Sequence, residues 1–597
     1  MMRPAAPSEP LPASIEAALR RDPSDPLAWI AVAQWLEPRQ GPEAAAQTLE
    51  RVLARVRDPE PLLQFMIRAL AARPAHPLRL RALNLRAGLR PEDPQALVAL
   101  GRALLDTAAA TTARKPLRAA VERGVEAADV LLSLASLELL ERDYERAEAL
   151  YRRVLEQAPE QLEAHCGLFF LALSQWRWAE AERARAQVRA LAAKRGEVRK
   201  LPWHQLLMVY GDDPPALFPG VRPAPPLRAR PRTHAGRLRV GYLSSDFHTH
   251  ATAILMAGLF ERHDRTRFEC FLYSYGPRGE DAYRNRLRAA AEHWCDLNEL
   301  DDEAASERIR RDRLDVLIEL KGHTYGTRLG ITARRPCPIQ LHYLGFPGPI
   351  GGYGIDGFIA DEVTVPPGAE GEFPETVLRL PRCYQVNDSR RPRPKPALRQ
   401  AHGLPEEAIV LANFNQSWKI TEPFMRIWLE ALARHPRACL WLLDPGERAR
   451  TEALRLAAQV GLPEPERRLI FAARAEPEAH IDRLALADLA LDQLPCSSHT
   501  TAADALWAGV PLLTCAGARF AGRVGASVAR AAGLDRFVVD DREAYARKLD
   551  QLLTNPQLLA EAKAELNLRR DRLALFDTDA FTRDFEALLT ALFTPSA

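Results

Sequence analysis

The sequence lacks most of the features that mark a specialised protein. Its eight cysteines are scattered over 597 residues (Cys166, Cys270, Cys295, Cys337, Cys383, Cys439, Cys496 and Cys515), and none forms a Cys-x-x-Cys pair. Such spacing suggests neither a disulfide framework nor a zinc site, and it fits a reducing, cytoplasmic setting. A basic excess is missing too: the formal net charge is +3, so nothing argues for a nucleic-acid partner. No stretch approaches the roughly 18 apolar residues of a membrane span. Met1 to Ser14 is rich in Pro and Ala and has no basic segment followed by an apolar core, so a signal peptide is not expected. No membrane association is expected either. What remains is an ordinary composition, 47% hydrophobic and 27% charged, in a chain too long for one core.

Strand signals are nearly absent from residues 15 to 200, where Ala, Leu and Arg dominate at helical spacing. Residues 1–14 read as a disordered start. Asp143-Tyr144-Glu145-Arg146-Ala147-Glu148-Ala149-Leu150 and Arg177-Trp178-Ala179-Glu180-Ala181-Glu182-Arg183-Ala184 repeat one pattern. Tyr144 to Trp178 and Ala147 to Ala181 are each 34 residues apart. A 34-residue helix–turn–helix period with a small residue at the helix contact is the tetratricopeptide signature. Weaker units begin at Pro26 and Pro94, which predicts four or five repeats over 15–200. Stacked as a solenoid, they would offer a concave face to protein or peptide partners. An irregular helical bundle is the plainer alternative.

Residues 201–236 form a Pro- and Arg-rich connector, with Pro215, Pro219, Pro223, Pro225, Pro226 and Pro231 breaking helix. Leu201-Pro202-Trp203-His204 reads as its anchor on the following domain. From Leu238 short apolar strands alternate with helices. The predicted strands are Leu238–Ser244, Phe268–Tyr275, Leu314–Leu320, Ile339–Leu344 and Gly357–Ala360. A second series comprises Ile409–Phe414, Ala438–Leu443, Leu469–Ala472, Leu489–Leu491, Pro511–Cys515 and Phe537–Val539. Buried parallel strands have this pattern. The Pro/Arg-rich Ser389–Pro396 separates them, giving two Rossmann-like α/β domains over 237–395 and 396–597 with a cleft at their strand ends. Helices after Pro556 are expected to close the second domain and to cross back.

Five stretches carry candidate chemistry. Ser244-Ser245-Asp246-Phe247-His248-Thr249-His250 ends the first strand, and His250 could serve as a base or as a donor to an oxygen. Gly322-His323-Thr324 and Gly345-Phe346-Pro347-Gly348 leave later strands at turns that let backbone approach a ligand, which puts His323, Thr324 and Gly348 on the acceptor or sugar side. Asn413 to Ile420 sets Lys419 to bring a point charge to a phosphate, with Gln416 beside it. Ala475 to Arg483 opens a helix that puts His480 and Arg483 on one face. Leu491 to Pro511 is an apolar run, a Pro-Cys-Ser-Ser loop and a helix starting at His499-Thr500-Thr501. A helix start of this kind binds anions, and Asp504, one turn in, could hold a ribose. Taken singly, each stretch also reads as an ordinary turn, cap or solvated helix face.

Together and in this order, the motifs resemble the tetratricopeptide-repeat O-linked N-acetylglucosamine transferases and their SPINDLY-like bacterial relatives. The pieces are Leu238-Arg239-Val240-Gly241-Tyr242-Leu243-Ser244-Ser245-Asp246-Phe247-x-x-His250; Gly322-His323-Thr324; Arg335-Pro336-x-Pro338-Ile339-Gln340 with Leu344-Gly345-Phe346-Pro347-Gly348; Phe414-Asn415-Gln416-x-x-Lys419; and His499-Thr500-Thr501-x-x-Asp504-Ala505-Leu506-Trp507-Ala508-Gly509. The resemblance implies an α-solenoid followed by a GT-B glycosyltransferase of two Rossmann-like domains. It implies an inverting enzyme with no metal and no cofactor beyond a nucleotide-sugar donor, UDP-N-acetylglucosamine by default, acting on Ser or Thr of proteins held in the repeat groove. GDP-fucose is the alternative donor. By motif, Lys419 stabilises the departing diphosphate, His499, Thr500 and Thr501 hold phosphates, Asp504 the ribose, and Ala475, His480 and Arg483 the base. His250 matches an active-site histidine. Self-association into a homodimer is left open.

The chain departs from the family pattern at several points. Glu319-Leu320-Lys321 puts a cation before Gly322, Pro349 stands where a small hydroxyl residue is usual, and Pro477 replaces a lysine three residues before His480. Ala516-Gly517-Ala518-Arg519 alters a later loop, and the large insertion between the catalytic domains of animal relatives is missing. Asp577-Thr578-Asp579 resembles an acidic metal motif but falls in a helical region away from any strand end. These departures bear on donor identity and acceptor geometry. They also leave open a repeat scaffold with a vestigial transferase half, or a small-molecule or lipid acceptor.

Overall fold

The computed structural model describes residues 10–594 except 74–75, 106, 108–109, 197–200, 212–223 and 233–234. Contacts divide the chain into two compact units, Met1–Pro159 with Leu297–Asp301, and Glu160–Asp296 with Asp302–Ala597. Among the sequence expectations, Met1 to the ninth residue and Pro215, Pro219 and Pro223 of the connector lie outside the described residues.

The first unit is built from helix pairs. Pro26–Gln40 packs with Pro42–Glu50, Glu60–Ala69 with Pro77–Leu89, Pro94–Leu105 with Arg114–Glu122, and Ala128–Leu140 with Tyr144–Gln157. Pro26, Pro77 and Pro94 each open a helix, where the missing N–H costs no hydrogen bond. Asp25 and Asp143 cap their helices by accepting from Leu27 and Arg146. Small residues sit at the pair contacts. Ala147 is fully buried, and a Cβ on Gly101 would lie 2.3 Å from Leu117 Cδ2.

The second unit starts with the pair Leu162–Ser174 and Trp178–Arg195, then Trp203–Tyr210. The first sheet has seven parallel strands: β1 (Leu238–Ser244), β2 (Phe268–Ser274), β3 (His293–Asp296), β4 (Val316–Glu319), β5 (Ile339–His342), β6 (Gly357–Asp361) and β7 (Thr376–Leu380), in the order β3-β2-β1-β4-β5-β6-β7. The second has six: β8 (Ile409–Asn413), β9 (Ala438–Leu443), β10 (Leu469–Ala472), β11 (Leu489–Leu491), β12 (Leu512–Cys515) and β13 (Val538–Val539), in the order β10-β9-β8-β11-β12-β13. The central strands β1, β4 and β8 are buried and largely apolar because both faces are covered by helices, with Arg239, Ser244, Glu319 and Asn413 as their polar residues. Strands β3 and β7 are absent from the sequence reading. Both are sheet edges, and His-Trp-Cys-Asp and Thr-Val-Leu-Arg-Leu are too polar and too exposed to give a buried-strand pattern.

Each sheet reverses its winding once, between β1 and β4 and between β8 and β11. Ligands of doubly wound sheets bind at such switch points, beyond the C-terminal strand ends. The loops leaving these four strands are those that carry His250, His323, Lys419 and His499.

Helix Thr578–Thr590 does not stay with the second sheet. It packs on helix Ala251–Arg262 of the first. Glu586 accepts from the Asp264 amide at 2.8 Å and lies 2.9 Å from His263 Nδ1. Asp577 caps this helix and Asp579 pairs with Arg262 at 2.8 Å, so the Asp-Thr-Asp stretch is occupied in packing.

Candidate active site

The loop after β11 is a buried polar frame. Asp492 is fully buried and takes hydrogen bonds from the amides of Gln493 (2.9 Å) and Ser498 (2.6 Å) and from the Thr514 hydroxyl (2.6 Å). Burial raises its carboxyl to about 6 in spite of these donors. The Leu494-Pro495 bond is cis. Asn413, at the end of β8, donates to the Leu491 carbonyl (2.9 Å) and Gln493 Oε1 (2.6 Å). Asn415 donates to Ser498 Oγ (2.7 Å) and accepts from Thr501 Oγ1 (2.8 Å). These bonds tie the Lys419 loop to the start of helix Thr500–Trp507.

No side chain caps that helix, so its first N–H groups and its positive dipole end face the cleft. His499, at the N-cap, donates from Nε2 to the Ala521 carbonyl at 3.1 Å. Burial, helped by the Lys419 charge, lowers its pKa to about 3. It is therefore neutral, with Nδ1 unprotonated. Lys419 Nζ reaches the Ser497 carbonyl at 3.3 Å and lies 5.6 Å from the Trp418 ring centre. Gln416 Oε1 accepts from the Trp418 indole at 3.2 Å.

An aromatic and cationic wall stands opposite. Arg483 is buried, lies 4.8 Å over the Phe414 ring, donates to the Ala473 carbonyl (2.6 Å) and donates from Nε to His480 Nδ1 (3.3 Å). Burial lowers the pKa of both Arg483 and His480, the latter against the attraction of Asp504. With Nδ1 accepting, neutral His480 carries its proton on Nε2.

A cavity of about 410 Å³ collects Gln416, Lys419, Ala475, His480, Arg483, His499, Thr500 and Thr501, with Phe414, Asn415, Trp418, Leu443 and Arg474 completing its lining. Asp504 is not in that lining. Its carboxylate accepts from Arg391 in the segment between the two domains, and Arg391 is 5% exposed.

His250, His323, Thr324 and Gly348 are elsewhere. His250 caps helix Ala251–Arg262, its Nδ1 accepting from the Thr252 amide at 3.2 Å and standing 3.5 Å from Asp246. That bond leaves the proton on Nε2, making neutral His250 a donor. Surrounding protein lowers its pKa and Asp246 works the other way; its side chain is 43% exposed, which limits the shift. Asp246 is buried, which pushes its carboxyl up, but His250 and Lys321 outweigh this and hold it below the usual range. Lys321 pairs with Asp246 at 2.7 Å and is 8% exposed. Glu319 accepts from the amides of Lys321 (2.8 Å) and Gly322 (2.7 Å) and lies 2.9 Å from His342. Glu319 thus shapes the turn at Gly322, whose φ is +59°, while the cation at Lys321, which departs from the family pattern, points to Asp246. His323 donates to the Ile350 carbonyl at 2.7 Å and the Thr324 hydroxyl to that of Lys321 at 2.9 Å. Gly348 and Pro349 line a separate cavity of about 30 Å³ with Phe346, Pro347 and Phe520. Pro477 is the first residue of its helix.

The model of glycosyl transferase family 41 matches residues 225–395 and 394–585. The chain belongs to glycosyl transferase family 41. Its two matched segments meet where the Ser389–Pro396 segment joins the sheets. Among the relatives of this family 41 chain, the probable UDP-N-acetylglucosamine–peptide N-acetylglucosaminyltransferase SEC of Arabidopsis thaliana is 37% identical over 362 residues, 59% of this chain and 36% of that protein. The probable enzyme SPINDLY of Solanum lycopersicum is 28% identical over 60% of this chain and 38% of its own. The chain thus spans little more than a third of the length of these relatives. A mutant O-GlcNAc transferase of Thermobaculum terrenum has a similar solved structure, with TM-score 0.63 and 25% identity over 98% of each chain. The fold is accordingly helical repeats followed by a GT-B pair of Rossmann-like domains. Among the described residues no helix is long and apolar enough to cross a membrane.

Sequence reasoning missed Asp246, Arg391, Asn415, Gln493 and Ser498 as members of the site. Asn415 and Asp246 lie inside motifs quoted for other residues. Arg391 gave no signal, since one Arg in an Arg-rich segment is unremarked until the fold buries it.

Proposed function

We propose that this family 41 chain is an inverting, metal-independent protein O-glycosyltransferase that moves N-acetylglucosamine from UDP-N-acetylglucosamine to Ser or Thr of proteins recruited by the repeats, in a reducing cytoplasm. The observation that carries the reading is the cavity that joins Lys419, the uncapped helix at Thr500 and the Phe414–His480–Arg483 wall. Charge grows on the departing diphosphate as the glycosidic bond breaks. Lys419 and the Thr500 and Thr501 amides are fixed donors for that charge, and such donors need no reorganisation when the bond breaks. Neutral His499 adds no second cation and offers Nδ1 as an acceptor. The base would lie against Phe414 and Arg483, within reach of the Ala475 backbone and His480 Nε2–H. Asp504 would take the ribose hydroxyls while Arg391 holds it.

His250, with its proton on Nε2, would donate to a sugar or acceptor oxygen. Acting as base would require the other tautomer, which the Thr252 amide disfavours. His323, Thr324 and Gly348 would shape the acceptor side. The cation at Lys321 is neutralised by Asp246, so this departure does not argue for a vestigial site. All eight cysteines are free thiols, which suits a reducing compartment.

Incubation of the chain with candidate acceptor proteins and either UDP-N-acetylglucosamine or GDP-fucose, followed by intact-mass measurement, tests the reading. Addition of N-acetylhexosamine that is lost in Lys419→Ala and unaffected by EDTA is the expected result. Transfer of deoxyhexose would replace the donor, and transfer of neither sugar would overturn the reading.

A further inference from the structure

Two tryptophans of the helix pair Leu162–Ser174 and Trp178–Arg195 hold the loop that bears Lys419. Trp176 is fully buried and donates from Nε1 to the Ser417 carbonyl at 2.9 Å. Trp178 is 5% exposed and donates from Nε1 to the Ile420 carbonyl at 3.1 Å. Their rings stack with centroids 5.9 Å apart and planes at 13°. The two accepting carbonyls bracket Lys419, one two residues before it and one just after. Between them the chain makes a single tight turn, Ser417–Lys419, in which the Ile420 amide returns to the same Ser417 carbonyl at 3.0 Å. A third ring from this pair, Phe170, meets Trp418 at 5.9 Å, and Trp418 lies beneath the Lys419 ammonium.

The repeat register shows that this is a departure from what the helix turn needs. Arg142 and Tyr144 occupy the same places 34 residues earlier. Arg142 and Trp176 both take the left-handed backbone, with φ of 63° and 55°. The turn thus demands that conformation whatever the side chain. A residue tolerating it at an exposed turn would suffice for folding, and a polar one stands there at Arg142. At Trp176 the position instead carries the largest apolar side chain with a single donor, aimed at a backbone carbonyl 241 residues away. Buried indole N–H groups need an acceptor, and a loop of one turn has few internal bonds to fix its own shape.

We infer that Trp176 and Trp178 are positioning residues for the transfer reaction: their indole N–H groups fix the Ser417 and Ile420 carbonyls and so set where the Lys419 ammonium stands against the donor diphosphate. This rests on the proposed role of Lys419, but the geometry of the clamp does not. Phe for Trp at each site keeps an aromatic ring and removes the N–H. Incorporation of 3-benzothienylalanine removes the N–H with a ring of nearly the same size, and serves if Trp176→Phe or Trp178→Phe fails to fold.

The test uses the full chain. Amide hydrogen exchange over residues 416–420 is measured beside titrations with UDP, GDP and UMP. In Trp178→Phe and Trp176→Phe, or in the benzothienyl forms, exchange of this segment should rise about tenfold with the melting temperature little changed. Affinity for the diphosphate should fall severalfold while that for UMP stays, and the fall should vanish in a Lys419→Ala background, because residues acting through one group are not additive. Unchanged exchange, or the same fall in the Lys419→Ala background, overturns the clamp. If the wild type binds neither UDP nor GDP, the donor-site reading fails, and the exchange result alone decides the clamp.

Discussion

Replacing His499 by glutamine should remove a specific part of the acid sensitivity of the second unit. In the unfolded chain an imidazole has its ordinary pKa of 6.5; in the fold His499 is lowered to about 3 by burial and by Lys419. A depressed pKa means stability that is fully present above 6.5 and lost as pH falls toward 3, because the unfolded state takes up the proton first. At about pH 5 the unfolded imidazole is charged and the folded one is not, so the loss relative to about pH 8 is ~2 kcal/mol. Asp492 works in the opposite sense. Its folded pKa is raised from 3.8 to about 6, so acidification to about pH 5 returns roughly 1 kcal/mol. The wild type therefore shows only a small net effect of the two, and the comparison must be a difference between proteins. Asp492 and the other histidines are common to both and cancel, as does any constant effect of glutamine on the Ala521 bond. Eight of the ten tryptophans lie in the second unit, so denaturant unfolding followed by fluorescence reports on it. Between about pH 8 and about pH 5 the wild type should lose ~2 kcal/mol more than His499→Gln. Equal losses would refute the neutral His499. In Lys419→Ala the gap should narrow, since the neighbouring charge is gone.

Three other outcomes follow from the same geometry. Lys419→Ala should lower turnover roughly 10²- to 10³-fold, the scale for one preorganised donor at developing charge, with an unchanged unfolding midpoint in the same fluorescence assay. Asn415→Ala removes the Asn415 contacts of the buried Ser498 Oγ and of Thr501 Oγ1, which lines the cavity, and should cost about 1–3 kcal/mol by denaturant unfolding, the range for one orphaned buried group; a loss under ~1 kcal/mol would mean that water replaces it. Arg391→Ala strips Asp504 of its cation and should cost about 3 kcal/mol, the low end for breaking a buried pair because Asp504 keeps 14% exposure; Arg391→Ala with Asp504→Asn should recover most of it.

The central strands were legible because parallel strands covered on both faces are largely apolar, as in Val316–Glu319 and Ile409–Asn413, where only the last residue is polar. Edge strands escape that rule, so His293–Asp296 and Thr376–Leu380 left no mark. Boundaries slipped where a loop continues an apolar run, as at Leu314 and Leu344. The cavity residues were legible because each sits on a loop leaving a switch-point strand or on the helix facing it, and motif order carries that information. Pairings across long separations were not. Nothing near Asp504 in the chain announces Arg391, and Lys321 looked like an intruding cation until the fold set Asp246 beside it. Trp178 was read as a repeat position and is one, but its indole serves a loop 242 residues away.

The helix Thr578–Thr590 has a consequence for how the chain is made. His263, fully buried in the first Rossmann-like domain, has its partner Glu586 323 residues further on. That domain is therefore incomplete when its own sheet leaves the ribosome: His263 Nε2 has the Tyr242 hydroxyl at 2.7 Å, but its Nδ1 waits for Glu586 behind an uncovered helix until the second domain has followed. The apolar face of Ala251–Arg262 is the surface that a chaperone would meet during this interval. A truncation that removes Thr578–Thr590 would then damage the domain that is synthesised first.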